Sequence, residues 1–362
     1  MAAQGSGRGS LGLFLQALPV GAQVEFAVAA ERSGWDTVWF PEITFGDAFV
    51  PGAATAVQTT RIGIGTGLVG IWSRSPVALA LQAATMQLLS GRLHLGIGVQ
   101  ARNYVENWHG RKYETPVKAM REFLTILRPL LAGESVTFEG DVFFVRRFQL
   151  QMPPPERPVR IYVGANGVKM LELAGELADG TLGYFNSAAY VRDVVVPAVE
   201  RGAARAGRAR ADVEIACGFP SVVTPDDSGI GLARGQVLMF ATALESAPAY
   251  ADSVDAAGFD QAARELRERV AAGDADGALA AIPDEMIDAL TLSGSPANVR
   301  RRIAELRAAG LDHVCLNPSP PGTWFPLYEG HLARVPGPEL DFPAYLKVVS
   351  DTIELIGPSA PS

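Results

Sequence analysis

Apolar and polar positions repeat in blocks along the chain, and the clearest block covers residues 159–184. Val159, Ile161 and Val163 alternate with other residues, which predicts a short strand that ends in a turn at 164–167. The next apolar positions have helical spacing and form one stripe, at Met170, Leu171, Ala174, Leu177 and Ala178. Asp179-Gly180 is expected to end this helix, and a second strand then runs to Tyr184. The block predicts a strand–helix–strand unit.

The same unit recurs along most of the chain. The other strands are predicted at 11–18, 37–40, 61–68, 92–98, 213–218 and 312–316. Helices are predicted at 22–33, 48–59, 76–89, 114–131, 188–207, 297–309 and 342–356, and a loop is predicted at 99–116. Eight repeats favour an α/β fold of the (β/α)8 TIM barrel type over an open doubly wound sheet.

Two insertions interrupt the predicted repeat. Residues 135–151, with Glu139-Gly140-Asp141 as the turn, are typical of a hairpin placed after the fourth helix. Residues 228–287 are Ala-rich with charge repeats and predict a helical insertion after the seventh strand. We therefore expect one barrel domain over 11–357, between a disordered N-terminus at 1–10 and a tail at 358–362.

Composition narrows the class of protein. The 362 residues carry a net charge of −8, which argues against a protein that binds nucleic acid by neutralising phosphates. Cys217 and Cys315 lie in apolar strands and are expected to be buried thiols, and no His/Cys cluster has the spacing of a metal site. The sequence shows neither a signal peptide nor a run long enough to span a membrane, so a cytoplasmic protein is expected.

A TIM barrel places its active site at the C-terminal ends of the strands. The predicted ends are Pro41-Glu42, Gly67-Leu68, Gly98-Val99-Gln100, Ala165-Asn166-Gly167 and Tyr184. They hold few acids and bases and no Ser/His/Asp set, which indicates that a bound cofactor supplies the reactive atom. The turn at Asn166-Gly167 opens a helix whose free N–H groups suit a phosphate, with charge added by Lys169; a simple tight connection is the alternative.

Five stretches together carry a family resemblance: GWDTVWFPE, RIGIGTGLVGIWSRSP, LSGRLHLGIG, WHGRKYETP and IYVGANGVKMLELAGELADG. The chain resembles the luciferase-like superfamily of flavin and deazaflavin oxidoreductases. Within it, the chain is most similar to the branch that depends on coenzyme F420 and includes methylenetetrahydromethanopterin reductase-like enzymes. Ile43 and Ala101 stand where the sugar-phosphate enzymes of this branch have a histidine and an acid, so that substrate class is not expected.

The resemblance implies a set of site residues. Glu42 would lie over the deazaflavin ring, and a non-proline cis peptide would join Gly67 and Leu68 behind it. Further cofactor contacts are implied at Gly98, Val99, Gln100 and Asn103. The phosphate and tail segment is implied at Ala165, Asn166, Gly167, Val168, Lys169 and Met170.

Two enzymatic functions and one binding function stay open. The first is an F420-dependent reductase that passes hydride to a C=C or C=N bond of a small organic substrate, with Glu42 orienting the ring or relaying a proton. Tyr184 and His109 are the candidates for giving the second proton, although packing or surface roles are the alternative. The second is an FMN-dependent monooxygenase, and the third is a barrel that binds its ligand without turnover.

The aromatic residues suggest the kind of substrate. Trp39, Trp72 and Trp108 are candidates for lining an apolar pocket mouth, which would favour a hydrophobic substrate, and core packing is the alternative for each. Members of the resembled family commonly form homodimers, so a homodimer is expected here.

Overall fold

Eight parallel strands close into a barrel in the computed structural model, which describes residues 9–44, 46–242, 248–318, 324–327, 331–334 and 342–358. The strands within the described ranges, including those outside the barrel, are β1 (Ser10–Phe14), β2 (Thr37–Phe40), β3 (Gly63–Thr66), β4 (Val69–Gly70), β5 (Leu93–Gly98), β6 (Val136–Glu139), β7 (Phe144–Phe148), β8 (Arg160–Gly164), β9 (Gly180–Tyr184), β10 (Glu214–Ser221), β11 (His313–Pro318), β12 (Trp324–Leu327) and β13 (His331–Arg334). Strand order around the barrel is β3-β2-β1-β11-β10-β9-β8-β5, and pairing of β3 with β5 closes it. The predicted TIM barrel is confirmed.

Helices cover the outside of the barrel and build one insertion. They are α1 (Val20–Arg32), α2 (Phe49–Ala56), α3 (Pro76–Ser90), α4 (Arg102–Trp108), α5 (Pro116–Leu131), α6 (Val168–Leu177), α7 (Ala188–Tyr190), α8 (Val196–Arg205), α9 (Ser228–Leu232), α10 (Arg234–Thr242), α11 (Pro248–Ala256), α12 (Asp260–Ala271), α13 (Ala275–Ala280), α14 (Asp284–Leu290), α15 (Pro296–Ala308) and α16 (Phe342–Ile356). A π-helical turn, Val191–Val195, joins α7 to α8.

Several predicted boundaries are wrong. Residues 99–116, predicted as a loop, contain α4, in which Val105 is the buried residue. Gly180 does not stop α6, because the chain is already extended at Ala178 and Gly180 begins β9. Ser10, inside the predicted disordered segment, belongs to β1, while residues 1–8 and 359–362 lie outside the described residues.

An aspartate precedes each of three barrel strands and ties it to the strand before it. Asp36 accepts a hydrogen bond from Leu11 N through its carboxylate at 2.8 Å and donates its own N–H to Leu11 O. Asp179 makes the same pair of bonds with Ile161, and Asp312 makes them with Ile215. These three residues, called the aspartate clips below, fix the register at the N-terminal end of the barrel.

Side chains fill the barrel interior where neighbouring strands have glycine. Trp39 is completely buried there with Phe14, Tyr162, Leu182, Ala216 and Cys315. A Cβ on Gly65 would lie only 2.2 Å from Trp39 Cε3. The alternating glycines of β3 therefore make room for an indole ring of the protein itself.

The hairpin of β6 and β7 lies between α5 and β8, where the sequence predicts it. Glu122 of α5 is 7% exposed, and its carboxylate accepts the N–H groups of Asp141, Val142 and Phe143 in the turn. One buried carboxylate thus holds the hairpin turn against the barrel.

Six helices, α9–α14, follow β10 and form a second apolar core. This core includes Phe185, directly after β9, and Val348 of α16. The insertion is therefore packed on the barrel near the C-terminal ends of its strands. No helix in the described ranges is long and apolar enough to cross a membrane.

Candidate active site

Glu42 follows β2 at the C-terminal end of the barrel, called the mouth below. Its Oε2 accepts a hydrogen bond from Arg74 Nη2 at 2.8 Å, and both side chains are only 15% exposed. The guanidinium of Arg74 also lies over the Phe49 ring, 5.8 Å from its centroid. The carboxylate that the sequence singles out is therefore one half of a partly buried ion pair.

The peptide bond between Gly67 and Leu68 is cis, as the resemblance implies. It separates β3 from β4, and both residues are partly exposed at the mouth. The Leu68 side chain occupies space left by two glycines, because a Cβ on Gly98 or Gly164 would lie 2.9 or 2.2 Å from Leu68 Cδ1. The predicted residues Gly67, Leu68 and Gly98 thus meet at one corner of the mouth.

The residues after β5 continue this corner. Val99 packs against the larger apolar core, between the barrel strands and the outer helices. Gln100 has a left-handed backbone, with φ at 56°, and its side-chain amide packs against Gly70. Asn103 lies in the first turn of α4. Gln100 Oε1 and Asn103 Oδ1 are buried and have no hydrogen-bond partner among the described residues.

The N-terminus of α6 is open. Gly167 is its N-cap residue, no side chain caps the helix, and a Cβ at Gly167 would have nothing within 4 Å. The first N–H groups of a helix lack partners within the helix, so Val168 and Lys169, both exposed, present donors to this space. Ala165 and Met170 are buried, so their side chains belong to the core under the turn.

Asn166 has a structural task at the same turn. Its Oδ1 accepts from Tyr184 N and its Nδ2 donates to Tyr184 O, each at 3.1 Å. Its carbonyl also accepts from the Tyr190 hydroxyl at 3.0 Å. The side chain therefore joins the ends of β8 and β9 and holds the turn in place.

Tyr184 stands at the mouth between the barrel and the helical insertion. Its hydroxyl accepts a hydrogen bond from Asn317 Nδ2 at 2.7 Å. Its ring lies edge-on to Phe14, 6.4 Å between centroids, and 5.2 Å from the ring of Phe240 in α10. The insertion thus contributes an aromatic wall to the mouth.

The remaining predicted residues are spread more widely. His109 is the residue after α4 and is partly exposed. Trp108 stacks on Tyr104 on the surface of that helix, with 3.9 Å between the ring centroids. Trp72 packs between Tyr113 and Phe143 in the loop before α3. Trp39 lies in the barrel interior rather than at the mouth, which favours its core alternative.

Six of the buried polar atoms that have no hydrogen-bond partner among the described residues lie around the mouth. They are Trp72 Nε1, Arg74 Nη1, Gln100 Oε1, Asn103 Oδ1, Asn186 Oδ1 and Asn317 Oδ1. Buried polar groups in folded proteins are nearly always bonded, so such a group points to a ligand or water. Together with the open helix at α6, these atoms fit a large polar cofactor that carries a phosphate. The sequence did not single out Arg74, Asn186 or Asn317, although each stands close to a strand end.

A polar network lies deeper inside the barrel. Glu214 is 6% exposed and accepts from Arg160 Nη2 at 2.7 Å and from the Tyr162 hydroxyl at 2.9 Å. His313 Nδ1 lies 2.9 Å from its other oxygen. Burial lowers the pKa of His313, but Cys315 and Glu214 raise it more, to about 10. The raised pKa favours the protonated form of His313, which forms an ion pair with the buried Glu214 carboxylate.

Within the described ranges, no three His, Cys, Asp or Glu side chains are grouped as metal ligands would be. Cys217 and Cys315 are buried free thiols, as the sequence predicts.

Comparison with known proteins gives consistent matches. A family model described as luciferase-like monooxygenase matches residues 3–313. The chain is 32% identical to a protein of Mycobacterium tuberculosis provisionally named a coenzyme F420-dependent oxidoreductase, over 82% of this chain and 90% of that protein. It is 34% identical to 5,10-methylenetetrahydromethanopterin reductase of Archaeoglobus fulgidus, over 79% of this chain and 86% of that protein.

A solved structure matches almost the whole fold. The coenzyme F420-dependent tetrahydromethanopterin reductase of Methanopyrus kandleri has a TM-score of 0.79 to this chain at 23% identity. The match covers 97% of this chain and 99% of that protein. At this identity the likeness is one of fold.

Proposed function

The chain belongs to the luciferase-like monooxygenase family, and from this premise we propose that it is an oxidoreductase that uses coenzyme F420. The observation that carries the proposal is the set of buried polar atoms at the mouth that have no hydrogen-bond partner among the described residues, together with the open N-terminus of α6. Bound F420 would supply a ring carbon that carries hydride, so the protein need only bind and orient the reactants.

Each part of the mouth has a task in this proposal. The N–H groups of Val168 and Lys169 and the open space at Gly167 would hold the phosphate. Glu42 lies beside Leu68, because its N–H donates to Leu68 O at 3.3 Å. The ring would be held by Glu42 and by the corner formed by Gly67, Leu68, Gly98, Val99, Gln100 and Asn103. Asn166, Ala165 and Met170 would act indirectly, because their side chains support the turn.

We propose the reduction of a C=C or C=N bond as the reaction. Tyr184 is the preferred proton donor, because its hydroxyl lies at the mouth and is held by Asn317. His109 remains the second candidate. The aromatic wall of Phe14, Tyr184 and Phe240 supports a hydrophobic substrate. Tyr184→Phe should then lower kcat with little change in F420 affinity, whereas loss of affinity alone would remove Tyr184 from the chemistry.

The first experiment is a side-by-side titration of the purified protein with F420 and FMN, followed by fluorescence. Binding of F420 at micromolar concentration or below, with weaker FMN binding, is the expected result. Preference for FMN would instead support a monooxygenase, the second candidate, which the description of the family favours.

A charge placed at Gly167 tests the phosphate position without weakening the fold. Gly167→Asp puts a carboxylate at an open N-cap, where it stabilises the helix but repels a phosphate. F420 affinity should fall at least tenfold while the melting temperature stays equal or rises. The control is Gly21→Asp, which makes the same charge change in the first turn of α1, also with nothing within 4 Å of the new Cβ. Equal effects of the two variants would contradict the assignment.

We also propose that the protein is a homodimer. The adjacent helices α2 and α3 expose apolar side chains, namely Val50 and Leu88 at 60% and 46%, with Val57, Leu81 and Leu89. Leu88→Asp should give a monomer in light scattering, and Val270→Asp on α12, 39% exposed, should not. Location in the cytoplasm stays a prediction from the sequence.

A further inference from the structure

The loop between β4 and α3 buries an arginine with an unused donor. Arg74 Nη2 is bonded to Glu42, but Arg74 Nη1 is buried and has no partner among the described residues. A buried charged donor without a partner costs free energy, so its retention calls for an acceptor that arrives from outside.

The loop holds this arginine in a fixed position. The Ser73 hydroxyl donates to Gly70 O at 2.9 Å on one side, and Ser75 caps α3 on the other by accepting from Ala78 N at 3.2 Å. The Phe49 ring packs on the guanidinium. Arg74 is therefore anchored at the mouth rather than sampling solvent as a surface arginine does.

A second donor on the same loop supports the same kind of ligand. Trp72 Nε1 is also buried without a partner among the described residues. Each of these unused N–H donors can bind an acceptor atom, and a charged or strongly polarised oxygen suits the guanidinium best.

We propose that Arg74 is the receptor for a negatively charged ligand oxygen at the mouth and that Glu42 is its counter-ion. The inference rests on the proposed function and deepens it. The oxygen has two sources of the same chemistry: the ionised ring hydroxyl of the deazaflavin, or a carboxylate on an unsaturated substrate.

Because Arg74 and Glu42 carry opposite charges, replacing each of them should change the affinity for an anion in opposite directions. Arg74→Gln removes the charge that attracts the oxygen and should weaken anion binding by about 10- to 100-fold, the range of one charge-assisted hydrogen bond. Glu42→Gln removes the competing carboxylate and should tighten anion binding. Two residues that only stabilise the fold would instead weaken binding together.

The first arm of the test titrates F420 into the wild type, Arg74→Gln, Arg74→Lys and Glu42→Gln. Arg121→Gln is the control, because it breaks an arginine–glutamate ion pair, with two bonds of 2.6 Å to Glu176, on the outside of the barrel. Absorbance of bound F420 is followed against pH. If the ring hydroxyl is the ligand, its apparent pKa rises in Arg74→Gln, falls in Glu42→Gln and returns towards the wild type in Arg74→Lys.

The second arm titrates the same proteins with cinnamate and with cinnamamide, without F420, using tryptophan fluorescence. Opposite shifts in cinnamate affinity, with no response to cinnamamide, identify a substrate carboxylate as the ligand. The proposal for Arg74 is overturned if Arg74→Gln and Glu42→Gln shift neither the apparent pKa of bound F420 nor the affinity for cinnamate in opposite directions. If the wild type does not bind F420, the proposed function fails, and the cinnamate arm alone decides the role of Arg74.

Discussion

Replacing Glu214 by glutamine should destabilise the barrel in a pH-dependent way. Glu214 is almost fully buried and holds Arg160, Tyr162 and His313 at 2.7–2.9 Å. Removing one partner of a buried ion pair leaves the other charge without compensation, which typically costs about 3–5 kcal/mol. Glu214→Gln should therefore lower the free energy of unfolding by several kcal/mol at pH 7.

The pH dependence follows from His313. Its pKa is about 10 in the folded protein and about 6.5 when unfolded. Because the folded value is raised, this contribution to stability is complete below about pH 6.5 and is lost as the pH rises through about 10. Between these limits the wild type should lose up to about 1.4 kcal/mol per pH unit from this group. In Glu214→Gln this slope should become smaller, because Glu214 is one of the two groups that raise the pKa of His313 and Cys315 remains.

Urea denaturation followed by circular dichroism from pH 6.5 to 9 measures both effects. Glu172→Gln is the control, because Glu172 binds Arg201 and Arg205 at 2.9 Å on the surface. A surface pair is worth at most about 1 kcal/mol, so this variant should be nearly as stable as the wild type, with an unchanged slope. Parallel pH profiles for the wild type and Glu214→Gln would refute the ion pair.

The remaining predictions concern the strands and turns that support the mouth. Gly65→Ala should cost roughly 1–3 kcal/mol in chemical denaturation, since the new Cβ would lie 2.2 Å from a buried indole carbon. Gly167→Ala, in open space, should cost only about 0.5–1 kcal/mol, the preference for glycine over alanine at an N-cap. Asn166→Ala should cost roughly 1–3 kcal/mol by leaving backbone groups of β9 unpaired; an unchanged melting temperature would show that solvent replaces them. Ser75→Ala should cost about 1 kcal/mol by removing the cap of α3, and a loss below experimental error would remove the cap from the account.

Sequence periodicity predicts an element well where its ends are marked. The second strand and the last helix have the predicted limits, Thr37–Phe40 and Phe342–Ile356. The cis bond at Gly67-Leu68 is also predicted, but through the family resemblance rather than through periodicity. Helix α4 was missed because RNYVENW has one buried residue and therefore no apolar stripe.

The candidate site was harder to predict because its contacts join distant parts of the chain. Arg74 reaches Glu42 only when the barrel places β2 beside the loop after β4, so neither residue signals the pair locally. Asn317 meets Tyr184 across 133 positions of sequence. Alternating glycines such as those of β3 are typical of a close approach by another group, but only the folded barrel shows that Trp39 makes it.

Because of the aspartate clips, strand register is fixed at one end of the barrel and the candidate site lies at the other. Asp36, Asp179 and Asp312 lock strand register at the end far from the mouth, with bonds that involve no residue of the candidate site. A one-residue slip would turn every inward side chain outward, so these locks protect the whole interior pattern. We therefore expect changes in the mouth loops to leave the register of these strands intact. For protein engineering, this means that substrate loops could be exchanged with those of relatives without loss of strand alignment at the opposite end.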